Sequence, residues 1–178
     1  PSRPPPHSPS PAMTQAASPT DPKAFRAALG QFATGVCIIT ARGPDGQPVG
    51  LTANSFNSVS LDPPLILWSL SLYSANLPAF QQATHYAVNI LAADQVALSN
   101  QFASSREDKF DGVEFVPGLG GSLLLPGCCA QFECRNETRH AGGDHIIFIG
   151  LVERFARFEG RAPLVYQGGG YRSIAPLD

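Results

Sequence analysis

Charged side chains are scarce in this sequence: they make up only 15% of the 178 residues, and the formal net charge is -2. A chain with so little positive charge lacks the electrostatic footprint of a nucleic-acid-binding protein. No apolar run approaches the roughly 20 residues that a membrane-spanning helix needs. Neither nucleic acid nor a membrane is therefore expected as a partner. The low charge also predicts that part of the surface is covered by a second subunit, so we expect a homodimer.

The motifs of several enzyme classes are missing as well. No G-x-G-x-x-G follows a strand-like run and there is no P-loop, so a Rossmann domain is disfavoured. There is no G-x-S-x-G elbow, and no pair of carboxylates lies in an apolar setting that would suit glycoside hydrolysis. The four cysteines, at positions 37, 128, 129 and 134, form no C-x-x-C pair and no metal spacing with the histidines. No metal site is expected. Two reduced thiols are expected at Cys128 and Cys129, with a strained vicinal disulfide as the alternative, and reduced thiols favour a cytoplasmic location.

The composition divides the chain into a tail and a domain. Residues 1–22 contain eight of the 17 prolines and almost no large apolar side chain. Such a segment cannot bury enough surface to fold alone, so we predict a disordered tail. Met13 is the single methionine, and it marks the natural start if residues 1–12 derive from a vector. Residues 23–178 are long enough to form one domain with its own core.

Helical signals open the domain and interrupt it twice. The first helix is predicted to begin at Asp21 or Pro22 and to end at Gly35, with Phe25, Leu29 and Phe32 on one apolar face. A second helix is predicted to begin at Ser74. A third is predicted to be capped by Asp94 and to reach residue 103.

Strand signals dominate the rest of the chain. Alternating or apolar runs bounded by turn residues predict strands at 36–41, 48–53, 65–70, 86–91, 130–135 and 145–158. The strand at 130–135 alternates apolar with polar residues and is predicted to be half exposed, whereas both faces of the last strand should be covered. Irregular loops are expected at 112–127 and 141–144. Mostly consecutive strands with small helices between them predict a mainly β protein with peripheral helices, an antiparallel barrel.

The segment from Thr52 to Leu65, TANSFNSVSLDPPL, joins two of these strands and differs from them in composition. It is rich in short hydroxyl and amide side chains and contains Asp-Pro-Pro, so it cannot be a helix. Its side chains are small enough for a flat ligand to reach the main chain, whose N–H and C=O groups can bind the edge of that ligand. A polar connection between two strands remains the alternative.

This segment, together with several other blocks, resembles the short-chain flavin reductases, the FMN-binding split-barrel family. The further blocks are FRAALGQFATGVCIIT, YAVNILAADQ, REDKFDGVEF, GGDHIIFIGLVE and PLVYQGGGYRSI, and together they span residues 25 to 174. The resemblance implies an α+β fold, an antiparallel Greek-key split β-barrel. It also implies that the protein uses NADH or NADPH to reduce FMN, FAD or riboflavin and supplies reduced flavin to a two-component monooxygenase.

The resemblance places the flavin ring and its ribityl chain along the polar segment. The residues carried over are Thr52, Ala53, Asn54, Ser55, Ser58, Val59 and Ser60. A flavin needs hydrogen-bond partners for its ring edge, donors or positive charge for its phosphate, and one ring face open to the hydride donor.

The flavin phosphate is expected at the helix that begins at Ser74, where unpaired N–H groups and the helix dipole favour an anion and the Ser71 and Ser74 hydroxyls add donors. Relatives often carry a lysine or arginine just before this serine, but here Leu72 and Tyr73 stand there. Lys109 is the candidate for the missing cation. Looser phosphate binding and an ordinary helix cap at Ser74 remain alternatives.

Two residues near the end of the chain complete the candidate site. His145 matches the histidine of the family's G-D-H block, which lies beside the flavin and is thought to help place the nicotinamide. Because hydride passes directly between the rings, His145 would position the nicotinamide rather than act as an obligatory acid or base. A solvated loop histidine is the alternative. Tyr171 follows three glycines and can reach a ring face, although a packing tyrosine fits equally well.

Two functions remain open. The first is an NAD(P)H:flavin oxidoreductase, with hydride transfer to flavin N5. The second is an FMN-binding or electron-transfer protein without efficient turnover, which the missing cation near Ser74 would suit. The sequence does not choose between FMN and FAD or between NADH and NADPH.

Overall fold

The computed structural model describes residues 18–177 together with Ala16. Most of the predicted tail, including Met13 and the junction after residue 12, lies outside the described residues. Within them, the helices are α1 Pro22–Leu29, α2 Leu77–Gln82 and α3 Val96–Ala103, with a 3₁₀ turn at Leu119–Gly121. The first six strands are β1 Thr34–Gly35, β2 Cys37–Arg42, β3 Pro48–Ala53, β4 Asn57–Leu61, β5 Pro64–Ser71 and β6 His85–Ile90. The others are β7 Val116–Pro117, β8 Leu123–Leu124, β9 Ala130–Gly142, β10 His145–Arg157, β11 Val165–Gln167 and β12 Gly170–Arg172.

Seven strands form the main sheet in the order β3-β2-β6-β9-β10-β5-β4, and every neighbouring pair is antiparallel. The sheet is strongly rolled, because its two edge strands are joined by only Asn54, Ser55 and Phe56. Four residue steps span at most about 14 Å, whereas the edges of a flat seven-stranded sheet would lie about 29 Å apart. The predicted class, mainly antiparallel β with peripheral helices on a split-barrel plan, is confirmed.

A large apolar cluster fills the inside of the rolled sheet. Trp68 is fully buried at its centre, stacked on Phe148 with ring centroids 4.6 Å apart and edge-on to Phe80 and Tyr86. A second cluster lies outside β2 and β6, where Phe102 of α3 packs with residues such as Ile38 and Leu91. The sheet is therefore covered on both faces where it carries α3. No helix in the described part of the chain is long and apolar enough to cross a membrane.

The first helix begins where the sequence predicts but ends earlier. Asp21 accepts hydrogen bonds from the backbone N–H groups of Lys23 and Ala24 and so caps α1. The helix ends at Leu29 rather than at Gly35, because the chain tightens into a turn at Gly30 and Thr34–Gly35 then pairs with β11. On its predicted apolar face, Phe25 and Leu29 are exposed in the single chain.

The starts of the other two helices, unlike that of the first, were predicted wrongly. The second helix begins at Leu77, three residues after Ser74, because successive turns close from Ser74 N–H to Ser71 C=O and from Leu77 N–H to Ser74 C=O. Proline at position 78 suits the first turn of a helix but not its interior. The third helix follows Gln95 rather than an Asp94 cap, and no side chain caps it.

Strand β9 was predicted to be half exposed, but Gln131 and Glu133 on its polar side are buried. Gln131 Nε2 donates to Asn89 Oδ1 and to the Leu125 carbonyl. Glu133 accepts hydrogen bonds from Arg154 and from the Leu119 N–H at 2.7 Å. These polar side chains are buried with partners from other parts of the chain, among them Leu119 before β8 and Leu125 after it, which the strand's own alternation does not reveal.

The buried carboxylate of Glu133 should make the stability of the protein depend on pH. Burial of Glu133 opposes its charged form, but the hydrogen bonds from Arg154 and Leu119 outweigh burial and hold its pKa below the ordinary value of 4.5. The stabilisation is present above that value and is lost as the pH falls through the lowered pKa. Between pH 6 and pH 3 we expect a Glu133→Gln variant to lose less unfolding free energy than the wild type, as measured by urea denaturation. Parallel curves for the two proteins would contradict this.

The last two long strands form one hairpin that differs from the prediction at both ends. Strand β9 continues to Gly142, so the expected loop at 141–144 is reduced to Gly143 and Asp144, with Gly143 at a φ of 70°. The far half of β10 was expected to be covered on both faces, but Phe155 is 71% exposed. That surface has no cover within the described part of one chain.

Candidate functional site

The polar segment lies at the corner where the two edges of the rolled sheet meet. Thr52 and Ala53 end β3, Asn54 follows, and all three line a pocket of about 420 Å³. On the far side of this pocket lie α3, through Ser99, Asn100 and Ala103, and the β11–β12 hairpin, through Tyr166 and 169–171. We refer to it as the ring pocket. The structure thus brings four sequence-predicted residues together here: Thr52, Ala53, Asn54 and Tyr171.

A chain of hydrogen bonds fixes the two walls of the ring pocket relative to each other. The Thr52 hydroxyl donates to the Ser99 carbonyl at 2.6 Å, which ties β3 to α3. The Tyr171 hydroxyl lies 2.8 Å from Ser99 Oγ and donates to Asn100 Oδ1 at 2.9 Å. Tyr171 is therefore held by its polar end, while its ring packs edge-on against Tyr166 at 5.6 Å between centroids.

A second pocket, of about 460 Å³, lies at the other end of β3 and contains the candidates for anion binding. Ser74 lines it on one side, and the loop from Ser104 to Phe110, which includes Lys109, lines it on the other. We refer to it as the anion pocket. The helix that was expected to point its N-terminus here is only six residues long and begins after Asn76. Hydroxyl groups, Lys109 and Arg106, rather than a helix dipole, are thus what this pocket offers an anion, although Glu107 and Asp108 also line it.

Lys109 is a partly buried cation with unused hydrogen-bonding capacity. Its Nζ donates to the Phe102 carbonyl at 3.0 Å, and an ammonium group has three N–H donors. No carboxylate among the described residues lies within salt-bridge distance of it. Burial lowers the pKa of the Lys109 ammonium. A partly desolvated positive charge without a negative partner favours binding of an anion at this position.

The two pockets are neighbours on one strand. A Cβ on Gly50 would lie 2.7 Å from Phe102, so only glycine allows α3 to pack this closely against β3. Gly50 lines the anion pocket and Thr52, two residues on, lines the ring pocket. Because a strand rises about 3.4 Å per residue, the two openings lie within the reach of one extended ligand. Strand β3 is also an edge strand, so main-chain groups on its outer side are not paired with another strand of the sheet. We refer to the two pockets and the strand between them as the trench.

Three further candidates, Ser55, Ser71 and His145, lie on β5 or beside it rather than in the pockets. Ser55 Oγ accepts from the Ser69 N–H at 2.9 Å and so ties the polar segment to β5. Ser71, two residues on, lies opposite His145 in the pairing of β5 with β10. Ser71 C=O in turn accepts from the Ser74 N–H. The register therefore connects Ser55, Ser71 and His145 to the rim of the anion pocket.

The His145 ring is oriented by its neighbour. Its Nδ1 lies 2.7 Å from Asp144 Oδ1, and the hydrogen bond from His145, followed by its charge, lowers the pKa of the Asp144 carboxyl. With the Nδ1 proton directed to Asp144, Nε2 is the nitrogen that remains for a ligand. A histidine with a carboxylate partner is better suited to placing a polar group than a freely rotating one.

The remaining candidates lie further along β4. Ser58, Val59 and Ser60 line neither pocket; they lie on the edge strand, with a register shift at Val59. The sequence analysis missed Ser99 and Asn100, because they fall in the middle of a helical stretch. Their pattern, ALSNQFA, gives no signal beyond an amphipathic helix.

The cysteine thiols do not take part in this site. Burial, followed by the nearby Cys128, raises the pKa of Cys37 to about 12, and its Sγ donates to the Ala53 carbonyl at 3.2 Å. All four cysteines are unpaired, as predicted. A thiol that stays protonated is a poor nucleophile, so Cys37 supports the main chain of the polar segment rather than reacting.

The fold is that of the solved flavin reductases on which the chain superposes. The family described as "Flavin reductase like domain" matches residues 29–175, so the chain belongs to this family, as the sequence analysis predicted. The family also confirms the predicted enzyme class, an NAD(P)H:flavin oxidoreductase. It confirms the predicted cofactors as well, a flavin and a nicotinamide nucleotide.

Individual relatives agree with this assignment. The chain is 46% identical over 149 residues to FMN reductase (NADH) SmoA of Agrobacterium fabrum, covering 84% of each protein. It is 38% identical over 157 residues to a flavin reductase of Pseudomonas putida, covering 88% of this chain and 92% of that one. Among solved structures, the Streptomyces globisporus C-1027 NADH:FAD oxidoreductase SgcE6, in complex with NAD and FAD fragments, superposes with a TM-score of 0.86 at 36% identity, covering 92% of this chain and 98% of that one.

Proposed function

We propose that a flavin binds along the trench beside β3, with its ring in the ring pocket at Thr52–Asn54 and its phosphate in the anion pocket at Ser74 and Lys109. The observation that carries this proposal is the unpaired, partly buried Lys109 at one end of an edge strand whose other end is polar and open. A phosphate group would be the negatively charged partner that Lys109 does not have among the described residues. The donors and the spacing of the two pockets fit an elongated ligand with a flat polar head and an anionic tail.

The proposed hydride transfer does not require an acid or a base from the protein. A flavin held along β3 would supply the acceptor for hydride from the reduced nicotinamide. The chain binds the flavin edge through main-chain groups of β3, holds the phosphate at Lys109 and leaves one side of the ring pocket open. Lys109 and the serine hydroxyls act in binding and orientation, and no described residue is required to move a proton in the hydride step.

His145 is proposed as a positioning residue through Nε2, with Asp144 holding its ring. We expect His145→Gln to lower kcat/KM for the nicotinamide about 10-fold, the effect of losing one hydrogen bond to a polar group, while flavin reduction remains measurable. The measurement is steady-state kinetics, with His140→Gln, another histidine of the same hairpin, as the matched control. Complete loss of reduction would instead make His145 an obligatory catalyst.

Anaerobic mixing tests the activity itself. Purified protein, FMN and either NADH or NADPH under nitrogen should bleach the flavin absorbance, and the faster of the two nucleotides identifies the preferred donor. Repeating the experiment with FAD and riboflavin ranks the flavins. If neither nucleotide bleaches any flavin, the reductase proposal is wrong.

We further propose that the reduced flavin leaves the protein and reaches a separate oxygenase. The support is that several relatives are named as reductase subunits, among them the flavin-dependent monooxygenase reductase subunit HsaB of Rhodococcus jostii, 38% identical over 161 residues. Gel filtration of the protein with flavin distinguishes a reductase that supplies an oxygenase from an FMN carrier. Such a reductase releases its flavin and oxidises NADH. Tight retention with negligible NADH oxidation would favour the FMN-carrier alternative, which Leu72 and Tyr73 beside Ser74 suit.

A homodimer stays part of the proposal because large apolar side chains are uncovered in one chain. Phe25 and Leu29 of α1 are more than half exposed, and so is Phe155 at the end of a row of rings that leads from Phe56 through Phe132. Patches of this kind mark protein interfaces. Light scattering should give twice the 18.8-kDa chain mass; a monomer at micromolar concentration would contradict this. The cytoplasmic location likewise stays a prediction.

A further inference from the structure

The wall of the ring pocket that faces β3 carries an amide group, that of Asn100, whose role the sequence does not suggest. Asn100 lies in the last turns of α3, and its side chain is exposed at the pocket. The helix around it is fixed to β3 by the Thr52–Ser99 hydrogen bond and by the contact of Phe102 with Gly50. The backbone of Asn100 therefore keeps a defined position relative to the polar end of β3.

The hydroxyl groups beside Asn100 also fix the direction of its amide. The Tyr171 hydroxyl donates to Asn100 Oδ1 at 2.9 Å, while the buried Ser99 hydroxyl, at 2.8 Å, completes the environment of the Tyr171 oxygen. With Oδ1 occupied as an acceptor, the outward end of the side chain is Nδ2, which has two N–H donors. No described residue accepts a hydrogen bond from that nitrogen within the pocket.

A donor held in this way selects a carbonyl oxygen. If the flavin lies against β3, as proposed above, the space on its open side is bounded by Asn100, Tyr171 and the glycines 169–170. The group that has to enter there is the dihydronicotinamide ring, whose carboxamide provides a carbonyl oxygen at the ring edge. The glycines have no side chains and leave room for a second planar ring beside the first.

We propose that Asn100 donates through Nδ2 to the carboxamide oxygen of the nicotinamide, with Tyr171 and Ser99 holding the amide in that orientation. Asn100 thereby sets the rotation of the nicotinamide ring and brings the carbon that carries the hydride towards the flavin. The inference rests on the proposed function, because it requires the flavin to occupy the β3 side of the ring pocket.

The test uses oxidised dinucleotides, so that binding is measured without turnover. NAD, its thionicotinamide analogue and its 3-acetylpyridine analogue are titrated into the flavin-loaded protein; the thio analogue replaces the carbonyl oxygen by sulfur, and the acetylpyridine analogue keeps that oxygen. Sulfur is a much weaker acceptor, so the wild type should bind NAD and the acetylpyridine analogue more tightly than the thio analogue, by about 10-fold. Asn100→Ala should bind all three with similar affinity.

Further variants separate this role from a general disturbance of the pocket. Tyr171→Phe keeps the ring but releases the amide, so it should lose part of the discrimination. Gln82→Ala, an exposed amide at the end of α2, should retain all of it. In Asn100→Ala, KM for NADH should rise about 10-fold, whereas the dissociation constant for FMN should stay at the wild-type value.

The outcomes distinguish the inference from the function on which it rests. If Asn100→Ala discriminates among the dinucleotides as the wild type does, Asn100 does not contact the carboxamide and the inference is overturned, while the reductase stands. If Asn100→Ala weakens FMN binding and leaves the discrimination intact, the amide binds the flavin instead and the inference is again overturned. Failure of the wild type to bleach flavin with any nicotinamide removes the proposed function itself.

Discussion

Replacing Lys109 with methionine should weaken FMN binding about 10- to 100-fold, the usual effect of removing one charged hydrogen-bond partner. Methionine retains most of the length of the side chain but removes the ammonium group. Riboflavin has no phosphate, so its dissociation constant should be the same for the variant and the wild type. Fluorescence quenching of each flavin by the protein measures both constants.

Two controls make this experiment specific. Lys23 is an exposed lysine on α1, and Lys23→Met removes the same charge from the chain without altering the anion pocket. The pH is the second control: burial lowers the Lys109 pKa, so FMN affinity should begin to fall at a lower pH than an ordinary lysine would require, and riboflavin affinity should not. Equal losses of FMN and riboflavin binding in Lys109→Met would mean that the lysine supports the loop rather than the phosphate.

Replacing Trp68 with alanine should lower the free energy of unfolding by about 3–5 kcal/mol, the range for removal of a large buried aromatic side chain. Trp68 is fully buried and contacts the rings of Phe80, Tyr86 and Phe148, so the cavity would lie at the centre of the rolled sheet. Urea denaturation followed by circular dichroism measures the change, because Trp68 is the single tryptophan and its fluorescence is lost in the variant.

Variants of graded size guard against a protein that fails to fold. Trp68→Phe retains a ring and should show a smaller loss than Trp68→Ala. Tyr73→Ala removes an aromatic side chain that is 87% exposed and should change stability by less than about 0.5 kcal/mol. If Trp68→Ala destabilises the protein no more than Tyr73→Ala does, the centre of the core lies elsewhere.

Much of the strand pattern followed from local signals. Both ends of β3 were predicted correctly, because Pro48 follows a turn and the polar segment begins at Thr52. The start of β10 at His145 was also predicted, since Gly142 and Gly143 mark a turn. Strand periodicity and turn chemistry are encoded over a few residues, which is why these elements could be read directly.

Helix starts were less well predicted, and the reason lies in competing local hydrogen bonds. Ser74 has the residue type of a helix cap, but its N–H and C=O close turns with Ser71 and Leu77, so the helix begins later. Asp94 is displaced as a cap because Gln95 Oε1 accepts from the Ala92 N–H and Gln95 Nε2 donates to Pro126 C=O. Several local hydrogen bonds of similar strength compete at such positions, and the residue type of a cap does not decide among them.

The sequence by itself determined the family, the mainly β fold and the polar segment at 52–60, because residue types and their spacing carry that information locally. Only the tertiary structure decided that Thr52 faces Ser99 and Tyr171, that Lys109 lies across a pocket from Ser74, and that Glu133 is buried while Phe155 is not. The physical reason is the rolling of the sheet. Contacts between Ser99 and Tyr171, 72 residues apart, exist only once the edges of the sheet meet and α3 packs against Gly50.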